Sequence, residues 1–171
     1  MTTRERVFRF FLWWAVLGYA VWVGGTVFSM LVIVPLWSAS PPESVREFFQ
    51  GTNFNRTVGH FFGPPWMVLR NLPVLGALVA GWPYRIHRRY LLVSAACLLV
   101  AVVFTLAYVY RINEVLMIRV GGAVGPDEIR RMVRQWIFAD RLRFGVGFVG
   151  FLFLLRTFRT PVPGEPTRLT S

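Results

Sequence analysis

Lysine is absent from this chain: all 19 basic side chains are arginine, set against eight acids. Codon economy makes that a mark of a GC-rich genome, not of an activity. Cysteine is limited to Cys97, so no internal disulfide can form, and the residue reads as a small buried apolar one. No cysteine and histidine set has zinc spacing, and no metal site is expected. Glycine-rich phosphate cradles and the Gly-x-Ser-x-Gly nucleophile turn are both missing. The net charge of +11 raises the question of nucleic acid. The arginines, however, mark the ends of apolar runs and do not gather in one basic stripe. Side chains so placed meet lipid phosphate and snorkel to the interface, so no nucleic-acid partner is expected.

What the chain does have is apolar length. It is 55% hydrophobic and 16% aromatic over 171 residues, and four apolar stretches run about Val7–Trp37, Phe61–Tyr84, Tyr90–Tyr110 and Phe144–Leu155. A helix crosses a bilayer core with ~20 apolar residues. The expected fold is therefore all-α: a four-helix transmembrane bundle, 1–160, followed by a flexible cytoplasmic tail, 161–171. The partner is the lipid bilayer. Behind its arginines the first stretch resembles a signal peptide, but it is too long and too aromatic and has no small-residue cleavage site, so it reads as a retained span. Gly18, Gly25 and Ser29 share one of its faces and would let another helix approach closely, inside the monomer or in a homo-oligomer.

The connections carry their own signals. Ser40-Pro41-Pro42-Glu43 has the form of a capping box with proline at the first helical position. It predicts a short interfacial helix, Pro41–Phe49, in the first outer loop. Pro64-Pro65 must break or kink any helix there, leaving Trp66–Trp82 as span 2. Span 3 continues past Tyr110 toward Val120. The last helix, announced by Gly125-Pro126-Asp127-Glu128, runs to Thr160, about 50 Å at ~1.5 Å per residue, and its first turns should project beyond the lipid. The N-terminus, the span 2–3 turn and the tail are short and arginine-dense, which places both termini in the cytoplasm of a plasma-membrane protein. The span 3–4 connection is also arginine-rich, through Arg111, Arg119, Arg130, Arg131 and Arg134, but the outer loops hold most of the acids.

Polar groups that enter lipid face the bundle interior and mark function by default. Trp136, Asp140, Arg143, Gly147 and Gly150 line one face of the last helix, where Asp140 and Arg143 can pair. Asn113 and Glu114 end span 3, with Tyr108 a turn deeper. Asn55, His60 and Arg70 lie around span 2, and Arg70 needs an acid or water, with Asp140 and Glu114 at the same level. Each has a plain structural alternative: a boundary ion pair for Asp140 and Arg143, an interfacial anchor for Trp136, a hydrogen-bonded histidine beside phenylalanines for His60. His60 and His87 fall on opposite sides of the expected membrane, so no bis-histidine haem forms within one subunit. No ladder of carboxylates crosses the bilayer, as a proton path would require.

Three features together resemble the anthrone-oxygenase-like family of small four-span membrane proteins (DUF1772). They are Gly24-Gly25 with Pro35; Thr105-Leu106-Ala107-Tyr108 followed by Ile112-Asn113; and Trp136 followed by Asp140 and Arg143. The resemblance covers most of the chain. Its polar positions fall on Asn113, Trp136 and Arg143. The chain departs from the pattern at Asp140, where the family more often has histidine or asparagine, and at Arg111, where proline is common. The resemblance implies oxidation of an anthrone-like or other hydrophobic aromatic substrate without metal or flavin, with dioxygen as co-substrate and no cofactor. Asp140, His60 or Glu114 would act as base, and Arg143 or Arg70 would stabilise the oxyanion. With Asn113 these form the catalytic set, and Trp136, Arg70, Glu114, Tyr108 and Asn55 would hold the substrate. Two rivals remain: a non-catalytic lipid-binding or accessory protein, whose polar residues would be locked together with no cavity between them, and a transporter, which at four spans would need to oligomerise.

Overall fold

The computed structural model describes residues 1–51, 62–119 and 124–161, and all regular structure among them is helical. Five helices result. α1 is Thr3–Ser38 and α4 is Arg85–Ile118, and these two are long and apolar enough to cross a membrane. α2 is Glu43–Gly51, α3 is Pro64–Ala80 and α5 is Pro126–Arg159. The long helices pack side by side in the order α1, α3, α4, α5 and back to α1, most extensively α4 on α5 and α1 on α3.

Local chemistry sets the helix ends. The Thr2 hydroxyl accepts from the Glu5 amide at 3.2 Å, and the Glu5 carboxylate accepts from the Thr2 amide at 2.8 Å. This is a capping box that satisfies two orphan donors of α1. The box expected at Ser40 and Glu43 does not form. There the Ser40 amide donates to Ser44 Oγ (3.1 Å), whose hydroxyl donates to the Trp37 carbonyl (2.8 Å), and α2 begins at Glu43, not Pro41. Pro64 and Pro65 open α3 behind an extended Gly63. They start the helix without kinking it, because prolines in a first turn lack only amides that would have no partner there.

Three five-residue segments are wound as π-helix: Ser29–Ile33 in α1, and Thr105–Val109 and Glu114–Ile118 in α4. In the first, the Val34 amide reaches back to the Ser29 carbonyl, just ahead of Pro35. A proline ring clashes with the carbonyl four residues behind it, and the wider turn relieves that clash.

Two apolar cores divide the molecule along its length. One is built from Phe8, Leu12, Tyr19, Trp22, Val74, Leu91, Leu98 and Leu154. The other gathers Trp37, Val45, Phe49, Val109, Leu116, Val133 and Trp136, and it fixes α2 against α1, α4 and α5. Arg4 Nε donates to the Ala80 carbonyl at 2.9 Å, and His87 Nε2 donates to the Thr160 carbonyl at 3.0 Å. The start of α1, the end of α3, the start of α4 and the end of α5 therefore share one end of the bundle.

Gly147 and Gly150 fall on the inner face of α5, as their spacing with Trp136 predicts. A Cβ on Gly147 would overlap the Trp22 indole, and one on Gly150 would meet Cys97 Cβ at 3.0 Å. At Gly18 an added Cβ would sit 3.6 Å from Arg70 Cα, an ordinary contact. Gly147→Ala is expected to destabilise the fold by about 1–3 kcal/mol through overpacking, while Gly18→Ala leaves it unchanged. Equal thermal midpoints for the two variants in detergent would contradict this packing.

Candidate functional site

The half of the bundle away from Thr3 and Arg159 holds a partly open cavity of about 470 Å³. α5 contributes Trp136, Asp140 and Arg143, α1 contributes Thr26, Ser29, Ile33 and Trp37, and Phe62 and Gly63 close one side. α4 contributes Thr105, Val109, Tyr110, Asn113, Glu114, Met117 and Ile118. From Val109 on, these α4 positions repeat as pairs four residues apart (Val109 and Tyr110, Asn113 and Glu114, Met117 and Ile118), slightly longer than the ~3.6 of an α-helix, as π-wound turns allow. All three π segments supply lining residues. Ser29, Thr105 and Glu114, each the first residue of a π segment, all face this space.

Two polar contacts organise the wall. Trp136 Nε1 donates to Asn113 Oδ1 at 2.6 Å, which ties α5 to α4. Trp136 also stands edge-on to Trp37, with ring centroids 5.1 Å apart. One turn along, Arg143 Nη2 donates to Asp140 Oδ1. Both partners are well buried, with side-chain exposures of 17% and 4%. No protein donor reaches the second Asp140 oxygen among the described residues. Thr26 and Thr105 spend their hydroxyl protons on their own helices, on the carbonyls of Trp22 (2.8 Å) and Ala101 (2.7 Å), so each keeps only acceptor capacity. The cavity therefore offers two carboxylates, the buried Asp140 and the more exposed Glu114, one guanidinium and a few neutral polar groups on otherwise apolar walls.

Of the residues expected from the sequence, Asp140, Arg143, Asn113, Trp136 and Glu114 line this one space. Glu114 is also ion-paired to Arg119, with both side chains more than half exposed, so the contact is weak. Tyr108 does not line the cavity; it is exposed and stacks on Phe104 at 5.4 Å. The π turn at Thr105–Val109 is the reason, since the extra residue per turn hands the inward position to Val109 and Tyr110. Arg70 finds neither of its expected acidic partners. Its Nε donates to Asn71 Oδ1 at 3.2 Å, and its guanidinium lies 4.8 Å from the centroid of Trp22 and 5.6 Å from that of Tyr19. Aromatic faces take the place of a carboxylate there. Asn55 and His60 lie outside the described residues.

Thr26, Trp37 and Tyr110 escaped the sequence reading, and Ser29 entered it only as a small residue on a packing face. Small hydroxyls in an apolar run carry no spacing signal of their own, and Tyr110 follows from an α-helical register only once the π turns are known. Among the described residues, no group of three or more histidine, cysteine or acidic side chains is placed to hold a metal ion. No family of known proteins matches this chain, nor does any curated protein or any solved structure.

Proposed function

We propose that this chain is an integral membrane protein of four spans with both termini in the cytoplasm, and that its outer cavity oxidises a hydrophobic aromatic substrate in the manner of the anthrone-oxygenase-like proteins. The observation that carries the reading is the cavity beside Asp140 and Arg143. A buried ion pair kept for structure alone needs no such space next to it.

The membrane part rests on length, exposure and charge. Large apolar side chains face outward on every long helix, among them Leu31, Val79, Leu99 and Phe138, each at least 65% exposed. A water-soluble monomer would not show so much. The 17 residues of α3 span about 26 Å at ~1.5 Å per residue, short of a ~30 Å core, so α3 is the span that thins the bilayer or leans on its neighbours. α5 buries Asp140, Gly147 and Gly150 and exposes Phe138, Leu142, Val149 and Leu152. Its Asp140–Arg143 pair thus turns inward, while Arg141 stays exposed among these apolar side chains and must snorkel toward the interface. The end that gathers Arg4, Arg6, Arg9, Arg85, Arg88, Arg89, Arg156 and Arg159 holds only Glu5 as an acid among the described residues, and such an end stays inside. Three crossings then separate Thr3 from Glu128. With Cys97 replaced by alanine, a membrane-impermeant maleimide should label Glu128→Cys in intact cells, and Thr3→Cys only after lysis. Equal labelling of the two would sink the topology.

The chemistry follows from the two charged groups. A methylene flanked by aromatic ketone conjugation is acidic, and the free Asp140 oxygen takes its proton. Arg143 holds the charge that develops on the ketone oxygen. The resulting carbanion reacts with dioxygen: one oxygen atom ends in the new carbonyl and the other leaves as water, so a CH₂ and O₂ give C=O and H₂O. Purified protein supplied with an anthrone under air should consume oxygen and form the quinone faster than the protein-free rate. No acceleration at any protein concentration would remove the catalytic reading. A second reading, a non-catalytic lipid- or partner-binding protein, draws on the Arg143–Asp140 and Trp136–Asn113 contacts, which already occupy part of each polar side chain.

A further inference from the structure

Deeper than the outer cavity lies a second, much smaller one of about 30 Å³, bordered by Tyr19, Trp22, Arg70, Thr105, Arg143 and Gly147. Space of that size admits a pair of waters or a compact polar head, and no more. Two guanidiniums, those of Arg70 and Arg143, line it, and like charges that share a small space repel. Arg143 has Asp140 as its counter-charge. Arg70 has no carboxylate partner among the described residues, only the Asn71 amide and the faces of Trp22 and Tyr19. The nook therefore carries one half-buried positive charge that no carboxylate of the described residues offsets, a costly arrangement within an apolar span.

Two polar atoms of its lining side chains are also unsatisfied. Tyr19 is 1% exposed, and its hydroxyl has no hydrogen-bond partner. Arg143 Nε is likewise buried and unpartnered. Buried donors without acceptors are rare in folded proteins, and each asks for an explanation. One group answers all three observations: an oxygen acceptor bearing a single negative charge.

We propose that this inner nook binds the anionic head, a carboxylate or a phenolate oxygen, of an amphiphile whose apolar body lies in an adjoining space. Both neighbours fit a body. The nook shares Phe62, Thr105 and Arg143 with the outer cavity. It shares Trp22 and Arg70 with an outward-facing groove of about 440 Å³ between α1 and α3, walled by Trp13, Trp14, Trp66 and Leu69. The head chemistry is the same by either route. A single-chain acid from the bilayer would enter through the groove, and an ionised aromatic would enter through the outer cavity. The second case deepens the oxygenase reading by making the substrate bind as its oxyanion; the first stands without it.

The test uses two fluorescent acids, cis-parinarate for a lipid chain and anthracene-9-carboxylate for a planar body, each beside its methyl ester, on the full chain in detergent micelles. At least one acid should bind roughly tenfold more tightly than its ester, the scale of one charge-assisted contact. Arg70→Gln should lower that acid to the level of its ester and leave ester binding unchanged. Tyr19→Phe, which keeps the ring and so the fold, should weaken the same acid several-fold. Preference for the chain acid assigns the groove, and preference for the planar acid assigns the outer cavity. Acids that bind no better than their esters, or an acid-to-ester ratio that Arg70→Gln and Tyr19→Phe both leave intact, would overturn the site. Anthrone turnover, measured separately, tests the oxygenase reading whatever this result.

Discussion

Asp140→Asn is expected to abolish anthrone oxidation, lowering the rate above the protein-free background by ~10²–10⁴-fold, the range a positioned general base supplies. The substitution is nearly isosteric. Asn can still turn its carbonyl oxygen to Arg143 and keep the contact that joins the two residues. What it loses is the second carboxylate oxygen, the one without a protein donor, and with it the capacity to accept a proton. A folded variant that still binds substrate but does not turn it over locates the base. If Asp140→Asn oxidises the anthrone as fast as the wild type, proton removal lies elsewhere. Glu114 would then be the remaining carboxylate on the cavity wall, although it is half exposed and held by Arg119.

The helices and the grouping of five polar residues were legible in the sequence because both follow from simple periodicities. Trp136, Asp140, Arg143, Gly147 and Gly150 advance by the steps of an ideal α-helix, and α5 is one continuous α-helix, so the shared face follows from counting. The same counting fails on α4. There the π turns shift the register twice, so Tyr110 and not Tyr108 lines the cavity, although the two side chains are equally exposed. Nothing in Thr105–Val109 announces a wide turn: no proline follows it, and its residue types suit an α-helix equally well. The partner of Arg70 was illegible for another reason. Charge arithmetic expects a carboxylate, yet Trp22 and Tyr19, one turn apart on α1, present two ring faces at the depth of Arg70, and aromatic residues in an apolar run look like lipid anchors until the neighbouring helix is placed.

Arg143→Ala is expected to cost more stability than any other single change discussed, about 3–5 kcal/mol, because it strands a buried carboxylate. Asp140 is 3% exposed, and Arg143 is its only hydrogen-bond donor among the described residues. The cost belongs to the abandoned charge rather than to the bond. Removing both charges together, as Asp140→Leu with Arg143→Met, should therefore recover most of the loss, since a buried ion pair and an apolar pair of similar volume are often close in stability. Thermal midpoints of wild type, the single variant and the double variant in one detergent give this comparison directly. A double variant as unstable as Arg143→Ala would mean that the two side chains act through separate contacts. The same double variant divides the two readings of the cavity. If it regains stability but has no oxidation activity, the pair is kept for chemistry, and the fold merely tolerates it. Full activity in a chain with neither charge would make Asp140 and Arg143 a structural pair beside an apolar binding pocket.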